Sequence, residues 1–298
     1  MALASVAANT LIVVTGGAVR LTSSGLGCPT WPSCTNGSYI PTREYAQHGV
    51  IEFSNRMLTF VLGLVMLAAL VAVIRQRPRR PPLGALATAA FVGIPAQAVL
   101  GGITVRTGLN PWTVAAHFLL SAVLIAITVV LAWRAAELGD GPRRPVVGVQ
   151  MLVLARLIVG VTALVLVLGT VVTGSGPHAG DAKAARTGLD PAAVSQLHAD
   201  VVLLLIGLTL ATVLGLWSTG APARVRRAAA VLLGIELAQG LIGYVQYFTG
   251  LPVLLVGLHL LGACVTWIAA IRLLLTTQPR AAADQTVPTE RAEVAGQT

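Results

Sequence analysis

The chain has 298 residues, 55% of them hydrophobic and 10% charged, with a mean hydropathy of +0.81. A soluble domain carries about 25% charged residues, so this composition excludes a water-soluble protein. The net charge of +9, from 20 basic against 11 acidic residues, would raise nucleic-acid binding in a soluble chain. With aromatics at only 5%, single strands would find no stacking platform, no nucleic-acid partner is expected, and the basic residues read as topology signals.

About 20 apolar residues cross a hydrocarbon core as a helix. In chain order, charge-poor apolar stretches run from Met1 to Val19, Val50 to Ile74, Leu83 to Val105, Thr113 to Trp133, Gln150 to Val172, Ala193 to Trp217, Arg227 to Tyr247 and Pro252 to Leu274. The expected fold class is an all-α integral membrane protein with eight transmembrane helices and lipid around it. The first stretch has no basic residues before its apolar run and no small-residue cleavage site before Arg20, so a retained helix is expected rather than a signal peptide. Basic residues in short loops favour the cytoplasmic side. The loops after the second, fourth and sixth stretches carry Arg75, Arg77, Arg79 and Arg80, then Arg134, Arg143 and Arg144, then Arg224, Arg226 and Arg227. Both termini are therefore expected in the cytoplasm of a cell with a plasma-membrane location for the protein, and the polar tail is expected to be disordered.

The first outer loop holds Cys28 and Cys34 within CPTWPSC. An oxidising compartment would permit a disulfide there; a zinc site is the competing reading, but two thiolates without a further pair of His or Cys do not complete a set. Cys264, in the eighth stretch, reads as a small packing residue.

The chain repeats itself in halves. Ala96-Gln97-Ala98-Val99-Leu100-Gly101 is echoed by Ala238-Gln239-Gly240-Leu241-Ile242-Gly243, 142 positions on, and His117 by His259 at the same offset. Asn55 and His198 stand 143 apart. Thr22-Ser23-Ser24-Gly25 resembles Thr173-Gly174-Ser175-Gly176. Four crossings return a chain to its starting face, so the repeat is parallel: two pseudo-symmetric four-helix bundles. The expected divisions are a first half at 1–134, a cytoplasmic linker at 135–149, a second half at 150–275 and a tail at 276–298.

Ionisable groups inside membrane helices are functional candidates by default. Asn55, His117, His198 and His259 fall at similar depths in the four even-numbered stretches, which all enter from the outer face. Imidazoles at matched depth on facing helices suit axial ligation of haem iron; buried hydrogen-bonding histidines are the plainer alternative. A proton relay would need a chain of carboxylates, and only Glu52, Asp200 and Glu236 offer themselves. Glu52 shares a helical face with Asn55 and has Arg56 at i+4, so it reads either as a structural ion pair or as an acid-base group of the first half. Its counterpart in the second half is Ser195, which makes the halves chemically unequal. His48, just before the second helix, and His178, in the third outer loop, read as loop residues.

Three runs together resemble the haem A synthase family over residues 1 to 275. They are Arg20-Leu21-Thr22-Ser23-Ser24-Gly25-Leu26-Gly27-Cys28-Pro29 with Trp31-Pro32 and Cys34, then Glu52-Phe53-Ser54-Asn55-Arg56, then Thr173-Gly174-Ser175-Gly176-Pro177-His178-Ala179-Gly180-Asp181. The resemblance implies oxidation of a methyl group of haem O to a formyl group by successive hydroxylation, for cytochrome oxidase biogenesis. It implies a substrate half, with Glu52 catalytic and His117 catalytic and on the substrate haem iron, and a second half in which His198 and His259 hold haem b; Asn55, in the place of the family's other first-half histidine, is taken as catalytic with them. It also implies the Cys28–Cys34 pair, and as partners haem O synthase, cytochrome oxidase assembly factors and an electron donor. The alternative is a non-catalytic electron carrier with one haem b between two histidines. The chain departs from the family at Asn55, where Glu-x-x-His is the pattern. Asn is a poor iron ligand, so either His117 alone holds the substrate iron, leaving the opposite position open with Asn55 as hydrogen-bonding group, or the first half has lost activity; the first reading is preferred because Glu52 and His117 remain.

Overall fold

A computed structural model of the chain describes residues 1–137 and 142–280, apart from the side chains of Glu44 and Ala46. Residues 138–141 of the expected linker and 281–298 of the expected tail lie outside the described residues. Eight helices follow one another: α1 Ala2–Leu21, α2 Ala46–Arg75, α3 Pro81–Arg106, α4 Pro111–Ala136, α5 Val149–Ser175, α6 Pro191–Ser218, α7 Ala223–Phe248 and α8 Val253–Thr276. Each is 20 to 30 residues long and apolar enough to cross a membrane. The protein is a multi-pass membrane protein, and among the described residues there is no β-strand beyond two isolated bridges.

Local chemistry sets the helix starts. α3, α4 and α6 each open on proline, which lacks an N–H at a position where none has a helical partner and whose fixed φ suits the first turn. Asn110 Oδ1 accepts from Trp112 N at 3.0 Å, and Asp190 accepts from the N–H groups of Ala192 and Ala193, so both side chains satisfy orphan donors. α2 starts a turn earlier than its apolar run, because its first turn is polar and hydropathy does not register it. His48 therefore lies inside α2, where its Nδ1 pairs with Ser24 Oγ at 2.9 Å, and not before the helix as its sequence position suggested.

The connection from α3 to α4 and that from α7 to α8 have the same shape. Gly108 and Leu109 take φ of 62° and 58°, and Gly250 and Leu251 take 76° and 60°. Leu109 N donates to Thr104 O at 2.9 Å and Leu251 N to Gln246 O at 2.7 Å. These partners stand 142 positions apart, so the sequence repeat carries into backbone geometry.

Within each half the helices close into a ring: α1–α2–α3–α4–α1 and α5–α6–α7–α8–α5. The halves meet through α1 on α8, α4 on α5 and α4 on α8. The seam is apolar, formed by Val13, Ala122, Ile125, Leu166, Trp267 and Ile271, and Trp267 Nε1 donates across it to Ala122 O at 2.9 Å. At one end the arginine-rich loops gather, with Arg143 on Glu137 at 2.9 Å and Val146 N on Thr277 O at 3.0 Å. At the other end, the cysteine-loop end, Gly25 N donates to Gly180 O at 2.8 Å and His178 Nε2 lies 2.9 Å from Leu251 O. The outward faces carry apolar side chains such as Phe60, 70% exposed, and Leu241, 66% exposed; lipid takes the place of water there.

Trp267→Ala is expected to lower stability by about 3 kcal/mol or more, the range for truncating a large buried aromatic. Thermal unfolding of the detergent-solubilised protein would show it, and Leu241→Ala on the lipid face should leave the midpoint unchanged.

Candidate functional site

Each even-numbered helix brings one polar side chain against a glycine of the helix before it. The imidazole of His117 lies over Gly101 of α3, so close that a Cβ there would be 3.1 Å from Cε1. His198 lies over Gly169 of α5 at 3.4 Å, His259 over Gly243 of α7 at 3.3 Å, and Asn55 over Gly16 of α1, with Nδ2 at 3.7 Å. The glycines are the seats: any side chain would push the ring away from the neighbouring backbone, and small residues let membrane helices approach closely. Gly101 and Gly243 close the repeated hexapeptides, whereas the sequence does not mark Gly16 or Gly169.

Glutamine fixes the backbone behind two of the rings. Gln97 Nε2 donates to His117 O at 3.1 Å, and Gln239 Nε2 donates to His259 O at 2.9 Å. Gln97 also reaches Ser121 Oγ. The shared glutamines of the repeat thus tie α3 to α4 and α7 to α8 at the level of the histidines. In the first half, Thr15 Oγ1 donates to Asn55 Oδ1 at 2.8 Å, which leaves the amide nitrogen of Asn55 over Gly16.

Within each ring the two helices that carry these residues do not touch among the described residues. α2 and α4 occupy opposite corners of the first ring, as α6 and α8 do in the second, and His198 and His259 are near enough to interact electrostatically. Asn55 lies nine residues into α2, while His117, His198 and His259 lie six or seven into their helices; the early start of α2 makes the difference.

Glu52 is buried, 6% exposed, and its carboxylate is turned to the cysteine loop. Oε2 accepts from Cys28 N at 2.7 Å, and Oε1 accepts from Arg56 Nε at 3.1 Å and Nη2 at 2.6 Å. Arg56 continues to the carbonyls of Cys28, Thr30 and Ser33. The Sγ atoms of Cys28 and Cys34 lie 2.01 Å apart, at disulfide distance. Between them, Trp31 packs its ring on Gly102, next to the glycine under His117. The loop is therefore held on α2 by charge and on α3 by an aromatic ring. Trp31 was read only as part of a motif; its position against the site comes from loop folding, which no periodicity reports.

Other candidates separate from this layer. Asp200 is exposed and accepts from Gln196 at 2.7 Å. Glu236 is buried in α7, 2% exposed, with Oε1 on Thr209 Oγ1 at 2.9 Å. Cys264 is buried in the seam, as expected of a packing residue. Among the described residues these carboxyl groups form no hydrogen-bonded chain with Glu52, since each has a different partner.

The three rings have the chemistry of axial ligands. In His117, His198 and His259, Nδ1 is buried beside the glycine of the neighbouring helix, with the backbone of Val165 next to the ring in His198 and that of Gln239 in His259, so Nε2 is the ring nitrogen left for a ligand. Among the described residues, no three His, Cys, Asp or Glu side chains converge. That donor set suits a group bringing its own equatorial ligands and needing one or two imidazoles, and not a zinc site built wholly from protein. The residues fit haem.

Fold and site together define a class: a polytopic helical membrane protein with imidazoles on glycine seats in two four-helix rings. The family model of COX15-CtaA, cytochrome oxidase assembly protein, matches residues 1–182, and the chain belongs to that family. The matched stretch contains Glu52, Asn55 and His117; His198 and His259 lie beyond it. The chain is 32% identical over 155 residues to the haem A synthase of Symbiobacterium thermophilum, covering 50% of this chain and 49% of that protein. It is 34% identical over 132 residues to the haem A synthase of Lysinibacillus sphaericus, covering 44% and 42%. The chain thus spans about half the length of the curated relatives it matches.

Glu52→Gln leaves Arg56 facing backbone carbonyls without its carboxylate, and breaking such a buried pair from one side costs about 3 to 5 kcal/mol. Glu52→Gln is expected to lower the unfolding midpoint, and the double variant Glu52→Gln/Arg56→Met to lose less than the two single changes summed. Additive losses would show that the pair is not coupled.

Proposed function

We propose that the protein is a haem A synthase, a membrane oxidoreductase that converts a methyl group of haem O to a formyl group by successive hydroxylation, for cytochrome oxidase biogenesis. The observation that carries this reading is the set of glycine-seated imidazoles with buried Nδ1, in a chain of the COX15-CtaA family. His198 and His259, at opposite corners of the second ring, would hold haem b. His117 alone would hold the substrate haem in the first ring, across from Asn55.

The haem groups supply the redox chemistry when bound. The chain's own residues supply ligation, orientation and exclusion of water. Gln97 and Gln239 fix the backbone of the two α4 and α8 histidines and so set the direction of each ring. Asn55, its carbonyl already taken by Thr15, presents N–H to the first ring as a donor and cannot replace imidazole as a ligand. Glu52 and Arg56 hold the cysteine loop over the first ring, with Trp31 wedged against α3; Glu52 acts through this loop. The halves are unequal because only the second has two imidazoles, which supports substrate turnover in the first and a retained haem in the second.

The arginine-rich end is assigned to the cytoplasm by the positive-inside rule, which places both termini there and the Cys28–Cys34 disulfide on the oxidising side of the cell membrane. Haem O synthase, assembly factors for cytochrome oxidase and an electron donor are the partners that this function requires.

Co-expression with a source of haem O, followed by extraction and chromatography of the haems, tests the assignment. Haem A or a hydroxylated intermediate is expected, and His117→Ala should abolish both while a haem b spectrum persists. A haem b spectrum with no product under any substrate supply would instead identify a bis-histidine electron carrier.

A further inference from the structure

Arg20 is a cation with no counter-ion among the described residues, placed where the two halves meet. It lies in the last turn of α1, in the first half, yet its Nη2 donates to Thr173 O of α5 at 2.7 Å. Gly180 of the loop after α5 packs beside its Cγ and Cα. Among the described residues, the charged group bearing on it is a second cation, Arg186, whose own guanidinium is turned to the carbonyls of Ala184 and Pro177.

The acids at this end whose side chains are described are otherwise engaged. Glu52 is taken by Arg56 and Cys28 N, Asp181 by Lys183 N, Asp190 by the start of α6 and Asp200 by Gln196. A guanidinium has five N–H donors, and one neutral carbonyl accepts from Arg20. Holding a half-buried charge this way is unfavourable, unless an anion completes the site.

The height of Arg20 indicates which anion. Thr173 stands four residues beyond Gly169, the seat of His198, or about 6 Å nearer the cysteine-loop end at 1.5 Å per residue. On the facing side, Leu21 reaches Gly257 of α8, two residues from His259. Arg20 thus spans the α5 and α8 side of the second ring, just above its histidines. A haem placed between those histidines carries carboxylates along one edge. That edge would turn to the polar end, because apolar helix faces cannot satisfy carboxylates. Guanidinium and carboxylate form the strongest class of paired hydrogen bonds.

We propose that Arg20, supplied by the first half, binds a carboxylate of the haem held by His198 and His259, so that neither half builds the second haem site alone. This inference rests on the haem reading above. Thr173 occupies the position in the second half that Arg20 has in the first under the offset seen at their glycine seats, Gly16 and Gly169. The cation is therefore present once, and serves the half that lacks it.

The test compares protohaem with its dimethyl ester, which has no anionic carboxylates. Full-length protein from haem-limited cells is titrated with each, the Soret band being followed, in a His117→Ala chain so that the second-half pair alone is read. The unesterified haem is expected to bind at least about tenfold tighter than the ester, about 1.4 kcal/mol. Arg20→Gln should remove the preference by weakening the acid form only, and Arg20→Lys should keep part of it. Equal weakening of both forms by Arg20→Gln, or no preference in the parent chain, would overturn the proposal while leaving the haem reading in place. Absence of a Soret shift with either compound, in both the parent and the His117→Ala chain, would remove the haem reading itself.

Discussion

The structure depends on close approach between helix pairs at four glycines. An imidazole is a wide, polar ring, and in a membrane it has no water to turn to. Seating it against the bare backbone of a neighbouring helix gives it a fixed wall and buries Nδ1. Gly101, Gly169 and Gly243 do this for the three histidines, and Gly16 does it for Asn55. Every other feature of the site either sets the height of these seats or secures the loops above them.

The two rings use this plan differently. In the second, two imidazoles stand at opposite corners, and the polar pair Thr209–Glu236 lies deeper in the bundle. In the first, the positions matching that pair are Met66 and Ile94, which pack together in an apolar core; Asn55 replaces an imidazole and is held by Thr15. The first ring gains instead a loop pinned by Glu52 and Arg56, with Trp31 against α3. An approximate twofold plan thus yields two unlike sites through a few substitutions, while the turns at Gly108 and Gly250 keep the backbone alike.

The halves also lean on each other. Trp267 donates to the α4 backbone across the seam, and Arg20 crosses at the cysteine-loop end. Such links between packed apolar surfaces make the second bundle's mouth partly a product of the first half. The same ties explain why the loop residues Gly25 and Gly180, remote in sequence, share a hydrogen bond.

The sequence by itself determined the eight crossings, the internal repeat and the identity of the layer residues. These follow from hydropathy, charge placement and repeated residue spacing, all of which are local. It also singled out Arg56 as the partner of Glu52, since i and i+4 face one way on a helix. Only the tertiary structure decided that Glu52 points to the loop and not to the ring, that His48 lies within α2, and that Gly16, Gly169 and Trp31 belong to the site. Those facts depend on which surfaces meet between helices far apart in the chain. Arg20 shows the difference most clearly: its charge is legible in one letter, and its hydrogen bond to Thr173 O of α5 exists only because the two halves pack together.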